Sequence, residues 1–387
     1  MRLAFIRQRY NPHGGAERFV ERATAALAAQ GVAMTVVARE WPDVAGTAGA
    51  AFMRCDPPYV GRLWRDLGFA RGVCRLVERE RFDLVQSHER LGCCDVYRAG
   101  DGVHARWLEH RARAQHPFSL LLTNLSPWHR YVVAAERQLY TSARVRAVIC
   151  NSEMVRADVL RHYPVDPTKL HVIYNGVDLE HFHPRIRSEL RARTRAELRL
   201  PEGERVYLFV GAGFERKGVD RLLRAFARLE VAEARVIIVG DDAALPRSRK
   251  LAQKLGIAPR VTFAGGRDDV RPYYAAADVF VLPTLYDPFP NAAIEAFACG
   301  LPVVTTFQCG AAELVRAGHN GAVCDALDEG ALARVMLEVA QLDPATVAEN
   351  ARASVSHLGI HVMADRLRVL YETLLERNPP ASCAKAR

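Results

Sequence analysis

The chain has 387 residues, half of them hydrophobic and a quarter charged, and a formal net charge of +9. That length passes the roughly 250–300 residues at which single cores stop growing, so two domains are expected, and no apolar run approaches the roughly 18–20 residues of a membrane span. The basic balance implies an anionic partner (a phosphorylated substrate, an acidic lipid surface or nucleic acid), and nucleic acid ranks last because no zinc finger, helix-turn-helix or RNA-binding aromatic motif stands out.

Leu3-Ala4-Phe5-Ile6 reads as a short strand, and its prompt passage into Arg7-Gln8-Arg9 is unlike an export signal, so a cytoplasmic protein is expected. Gly14-Gly15 follows, then a helix from about Ala16 to Ala29 that stops at Gly31. Strand, Gly-Gly loop and helix is either a plain turn or a place where backbone approaches a phosphate. Val32–Val37 and Phe82–His88 are further strands, with His88 at a carboxyl end, where open α/β sheets place their ligands. Asp101 lies between Gly100 and Gly102, as simple turn chemistry or as an acid offered to a ligand; His104 is open in the same way.

Between Arg106 and Arg137 arginines outnumber acids, and Trp107, Phe118, Leu120, Leu121, Leu122, Leu125 and Trp128 are interleaved with them. From Trp128 on, Tyr131, Val132, Ala135 and Leu139 recur at helical spacing, with Arg130, Glu136 and Arg137 elsewhere on the wheel. The pattern fits a segment lying on an anionic leaflet, and equally a helical hairpin packed on its own domain. Ala147–Cys150 and Leu170–Tyr174 are strands, and an Arg-rich helix from Arg185 to Leu200 opens the second half.

There Arg205–Val210 is a strand ending in Gly211-Ala212-Gly213, followed by Arg216-Lys217-Gly218 at the start of a helix. Two cations beside N-terminal amides suit a diphosphate, since Arg grips it with two hydrogen bonds and Lys adds a compact charge. Strands at Arg235–Gly240, Val261–Gly266 and Val279–Leu282 each feed a helix, an alternation that argues for doubly wound parallel sheets. After the last comes Tyr286-Asp287-Pro288-Phe289-Pro290-Asn291, then a helix carrying Glu295 and stopping at Gly300. Pro302–Thr306 continues the sheet, and an amphipathic helix from about Met363 to Glu376 ends the folded chain. The nine cysteines are odd in number and show no C-x-x-C spacing, so reduced, buried thiols are expected, with Cys93-Cys94 as packing.

An acid, seven residues and Glu, entering a helix that ends in Gly-Leu-Pro-Val-Val, resembles the signature of the retaining, GT-B-type glycosyltransferases of family 4. The Arg-Lys-Gly run, the Tyr-x-x-x-Asp at Tyr97–Asp101 and the Asn-Pro-x-Gly-Gly opening are similar to the lipopolysaccharide core glucosyltransferase I group. The resemblance implies two facing Rossmann-like domains with the active site in the cleft between them: an acceptor domain, 1–184, onto which helix 360–378 crosses back, and a donor domain, 185–359. It further implies Arg216 and Lys217 on the diphosphate at the end of the Gly211 strand and Glu295 on the ribose. On the same resemblance Asp287, with the Phe289, Pro290 and Asn291 backbone, would surround the donor sugar. Arg267, after Gly265-Gly266, would lie by the nucleobase, Gly14 and Gly15 would close over the phosphates, and Asp101, His88 and His104 would line the acceptor side.

The implied catalytic set is Asp101, Arg216, Lys217 and Asp287, with no metal and no cofactor beyond a nucleotide-sugar donor. The implied reaction moves glucose from UDP-glucose to an inner-core heptose of a lipid-linked oligosaccharide, by a protein peripheral to the inner membrane. Asp287 stands where the family usually has Glu, one methylene shorter, which leaves the donor sugar open. A nucleotide-sugar epimerase of the same architecture and a family 4 hexosyltransferase with another acceptor are the alternatives.

Overall fold

The computed structural model describes residues 1–10, 15–41, 49–114, 121, 123, 125–201 and 203–377. It divides into two compact units: Met1–Gly176 together with the chain from Ile360 on, and Val177–Gly359. Residues 177–184 belong with the second unit because Arg352 reaches them, its guanidinium donating to the carbonyls of Leu179 (2.8 Å) and Phe182 (2.7 Å).

The first unit holds a seven-stranded parallel sheet of β1 (Arg2–Ile6), β2 (Ala33–Ala38), β3 (Ala50–Arg54), β4 (Leu84–Ser87), β5 (Val96–Arg98), β6 (Ala147–Cys150) and β7 (Leu170–Val172), in the order β3-β2-β1-β4-β5-β6-β7. Alternation along β1 sends Leu3 and Phe5 to one face and Ala4 and Ile6 to the other, into two separate apolar layers. The helix Ile360–Arg377 returns to the Leu3 and Phe5 layer and closes it with Met363, Leu367, Leu370, Tyr371 and Leu374. Arg146 also donates to the Leu374 carbonyl.

The second unit repeats the plan with six parallel strands: β8 (Arg205–Val210), β9 (Ala234–Val239), β10 (Val261–Gly265), β11 (Val279–Leu282), β12 (Val303–Thr306) and β13 (Gly321–Cys324), ordered β10-β9-β8-β11-β12-β13. Strand order reverses between β1 and β4 in one sheet and between β8 and β11 in the other, and a doubly wound sheet binds ligands beyond the carboxyl ends at such a point. Those ends are Arg7–Gln8 and His88 in the first unit, and Gly211–Gly213 and Pro283–Asp287 in the second.

One expectation changes. Cys74, on the helix Gly61–Glu80, and Cys93, in the loop before β5, are disulfide-bonded with Cα atoms 5.7 Å apart, so Cys93 is not simply packing. Both residues are half-buried, and their sulfurs meet between helix and loop, a juxtaposition that cysteine spacing does not reveal. Cys55, Cys94, Cys150, Cys299, Cys309 and Cys324 are free and buried, as expected of packing thiols. Among the described residues of the stretch 106–137, Arg106 pairs with Glu109 (2.7 Å) and Asp158 (3.2 Å), and Glu136 is wholly buried. Leu121 and Leu125 stay 54% and 64% exposed, while Phe118, Leu120 and Leu122 lie outside the described residues. Among the described residues no helix is long and apolar enough to cross a membrane.

Candidate active site

In the second unit β8 and β11 bring two loops together. The strand β8 runs out through Gly211, Ala212 and Gly213 into the short helix Phe214–Lys217. Gly218 then lets the backbone lie against the turn after β11, where a Cβ would come 2.0 Å from the Pro283 carbonyl oxygen. The Leu285 N–H (2.8 Å) and the Thr284 hydroxyl (3.1 Å) both donate to the Arg216 carbonyl, locking the loops to each other. The amides of Gly213 and Phe214 donate to Asp242, at 2.7 and 3.1 Å. Asp242 thereby caps the short helix Phe214–Lys217, while Arg216 and Lys217 lie at its other end, where the helix Val219–Ala227 begins.

Those cations converge on one carboxylate. Asp287 Oδ2 lies 3.3 Å from Arg216 Nη1 and 3.6 Å from Lys217 Nζ, and Arg216 also donates to the Tyr286 carbonyl at 2.7 Å. Asp287 is itself bridged to the turn after β12, its N–H donating to Gln308 O and its carbonyl accepting from Gly310 N–H. Burial pulls the Lys217 pKa down, against the opposing effect of Asp287. A buried acid beneath two cations is a device for presenting positive charge without leaving it uncompensated.

Pro288, Phe289 and Pro290 lead into the helix Asn291–Ala298, whose N-cap, Pro290, offers no side-chain acceptor. Phe289 and Asn291 are buried. Glu295, one turn further on, is 0% exposed, and the Tyr274 hydroxyl donates to its Oε2 (3.3 Å) and to the Ala292 carbonyl (3.0 Å). Tyr274 and Asp242 went unnoticed in the sequence. Gly240-Asp241-Asp242 follows a strand and could have been flagged, whereas nothing local to Tyr274 marks it. Arg267 stands apart, exposed beyond β10, the edge strand, with its Nε donating to the Ala264 carbonyl.

In the first unit, Arg7 Nη1 lies 3.4 Å from both Asp101 Oδ2 and Glu89 Oε1. The Asp101 side chain keeps 47% of its surface in solvent. His88 does not face solvent: its ring packs between Phe5 and Phe19, its Nε2 is 3.3 Å from the Gln86 amide, and burial drives its pKa well below the ordinary value. His104 is nearly buried, stacked on His129 with Nε2···Nδ1 of 2.9 Å, and burial carries its pKa down to about 3. Both are neutral imidazoles near pH 7. Gly14 lies outside the described residues, and Gly15 begins the helix Gly15–Ala29.

The structure therefore brings Gly211, Arg216, Lys217, Asp287, Phe289, Pro290, Asn291 and Glu295 to one edge of the second sheet. It brings Asp101, with Arg7, to the same kind of edge of the first.

Comparison with known proteins identifies the family and the fold. The family model Glycosyltransferase Family 4 matches residues 13–181, and Glycosyl transferases group 1 matches residues 191–354. The lipopolysaccharide glucosyltransferase WaaG of Escherichia coli (strain K12) is 27% identical over 361 residues, 91% of this chain and 93% of that protein. The D-inositol 3-phosphate glycosyltransferase of Mycobacterium sp. (strain KMS) is 31% identical over 370 residues, 89% of this chain and 81% of that protein. A crystal structure of WaaG, a glycosyltransferase involved in lipopolysaccharide biosynthesis, superposes with a TM-score of 0.83 at 25% identity, covering 95% of this chain and 99% of that one. With both halves matched and two parallel α/β units of the GT-B type, the chain belongs to the family 4, group 1 glycosyltransferases.

Proposed function

We propose that the protein transfers glucose from UDP-glucose, with retention and without a metal, to a heptose in the inner core of a lipid-linked oligosaccharide at the cytoplasmic face of a membrane. The observation that carries the donor half is the convergence of Arg216 and Lys217 on Asp287. A nucleoside diphosphate entering there meets one bidentate and one compact cation, and both gain strength as negative charge develops on the departing phosphate. Asp287 then exchanges its ion pairs for hydroxyls of the donor sugar, and Glu295, oriented by Tyr274, takes the ribose. Catalysis in this reading is leaving-group stabilisation and positioning.

Likeness to WaaG supports the lipopolysaccharide acceptor, and Asp101, half-exposed beside Arg7, is the acid that would meet an acceptor hydroxyl. The similarity to D-inositol 3-phosphate glycosyltransferases favours a second acceptor, a small phosphorylated polyol. Both acceptors suit the chain's net charge of +9. A transfer assay with UDP-, GDP- and ADP-glucose against a heptose-terminated lipopolysaccharide core and against inositol phosphate separates them. Turnover with UDP-glucose and the core is expected. Turnover with inositol phosphate alone would replace the acceptor, and an epimer formed from the nucleotide sugar alone would replace the reaction.

A further inference from the structure

Glu136 sits on the helix Pro127–Thr141 with none of its surface in solvent, yet it is a carboxylate with a full set of donors. The backbone N–H of His104 donates to both its oxygens (2.8 and 3.0 Å), Arg90 Nε donates to Oε1 (2.9 Å) and the Tyr163 hydroxyl to Oε2 (2.7 Å). His104 is the first residue of the helix His104–Ala114, preceded by Val103, which has no side-chain acceptor to cap it. The cap comes instead from 32 residues downstream.

The two arms that Glu136 holds meet again at Asp101. One arm is the turn that carries Asp101, three residues before His104. The other is the segment after β4, where Arg90 adjoins Glu89, and Glu89 shares Arg7 with Asp101. Burial opposes the charge on Arg90, but Tyr97, Glu136 and Asp101 outweigh it and raise its pKa, so the guanidinium is also within electrostatic range of Asp101. Glu136, Arg90, Glu89, Arg7, Asp101 and His104 thus form a closed ring of contacts and chain, with one fully buried charge at its base.

We propose that Glu136 is a positioning residue for acceptor-side chemistry, fixing the place of Asp101 by clamping the His104 amide and Arg90 at once. The proposal rests on the reading of Asp101 as the acceptor-site acid. An apolar residue with an ordinary cap at 103 would meet the needs of packing alone, since a buried ion pair is weak evidence for stability. A carboxylate bonded to both arms sets their separation, and a misplacement of about 1 Å at a reacting group costs on the order of 100-fold in rate.

The test uses Glu136→Gln, which keeps the shape, in the full chain with UDP-glucose and a heptose-terminated lipopolysaccharide core, and measures UDP binding by calorimetry. Transfer should fall about 10- to 100-fold while UDP affinity holds, Glu136→Asp should recover part of the loss, and Asp101→Asn combined with Glu136→Gln should be no slower than Asp101→Asn alone. Wild-type transfer by a folded Glu136→Gln, with Asp101→Asn inactive, overturns the proposal and leaves Asp101 in its role. Wild-type transfer by Asp101→Asn overturns the Asp101 reading and the proposal with it. Parallel loss of UDP affinity and transfer makes Glu136 a stability residue only and also overturns it. If Glu136→Gln does not fold, Arg90→Lys carries the test, since it keeps a cation but not the directed Nε contact; wild-type transfer by that variant sinks the idea.

Discussion

Lys217 lies across residue 211 so closely that a Cβ there would be 2.8 Å from its ammonium nitrogen and 3.1 Å from its Cδ. The φ of Gly211 is +146°, a backbone conformation that strains any other residue. The glycine that ends β8 is thus part of how Lys217 reaches Asp287.

The first prediction follows from that contact. Lys217→Ala or Arg216→Ala should lower turnover about 10²–10³-fold, the loss associated with one donor to developing charge. Gly211→Ala should push the Lys217 amine aside and approach the Lys217→Ala value with both cations still in the chain. Steady-state transfer rates decide it: a Gly211→Ala enzyme as fast as wild type would separate the glycine from the lysine, and a fast Lys217→Ala enzyme would remove the lysine from the site.

Glu295→Ala should weaken binding of free UDP by about 1.5–3 kcal/mol, because a ribose hydroxyl loses a charged partner. That is roughly a 10- to 150-fold rise in Kd by calorimetry. Tyr274→Phe, which removes the hydroxyl that orients Glu295, should give a smaller rise of the same kind. Unchanged affinity in a folded Glu295→Ala protein would assign the ribose elsewhere.

Membrane binding, if it occurs, should follow the arginines that the structure leaves exposed. Arg106 is engaged with Glu109 and Asp158, whereas Arg113, Arg130 and Arg137 are exposed, as are Leu121 and Leu125. Each arginine should add about 1 kcal/mol on an anionic surface, less at high salt. Changing Arg113, Arg130 and Arg137 together to Ser should cut co-flotation with vesicles containing anionic lipid and leave transfer to a soluble acceptor alone. Equal flotation of both proteins would make this segment ordinary packing.

Acid should destabilise the protein through His104. Its folded pKa is about 3 against an ordinary 6.5, so from pH 6.5 down toward 3 the unfolded chain binds a proton that the folded one refuses. The stability from this group is complete above 6.5 and is lost as pH falls, at about 1.4 kcal/mol per pH unit. Urea midpoints at pH 7 and pH 5 should show the fall, and His104→Gln should flatten it. An unaltered slope in the variant would trace the effect to other histidines.

The Cys74–Cys93 bond spans a sequence separation of 19, a loop for which chain entropy suggests about 3 kcal/mol. Reduction, or Cys74→Ser, should lower the urea midpoint accordingly. A midpoint indifferent to reductant would mean that the isolated protein carries free thiols.

The pattern of residues made much of this legible, for identifiable reasons. Strands such as Val279–Leu282 are continuous apolar runs bounded by Pro or Gly, as strands buried on both faces must be. The cations, the acid and Glu295 sit within 15 residues of a strand end, so local order revealed them. The strands Ala50–Arg54, Val96–Arg98 and Gly321–Cys324 were not legible, because none is a continuous run of large apolar residues and each depends on neighbours for its pairing. The partners of Tyr274, Glu136 and the Cys74–Cys93 pair, and the Gly213 and Phe214 amides that Asp242 holds, lie far away in sequence. The helical wheel even set Glu136 with Arg130 and Arg137, because a periodicity cannot tell a solvated acid from one that finds three donors in the core.

The helix Ile360–Arg377 also bears on how the chain is made. Leu3 and Phe5 emerge before Val177–Gly359, and the Met363, Leu367 and Tyr371 side chains that cover them emerge only after it. At a synthesis rate of about 5–20 residues per second, that face of β1 waits on the order of 20–70 s for its lid. The second unit is one uninterrupted stretch that needs no later segment, so it can begin to fold while that face of β1 is still open. During translation, the first unit rather than the second is the natural client for a chaperone.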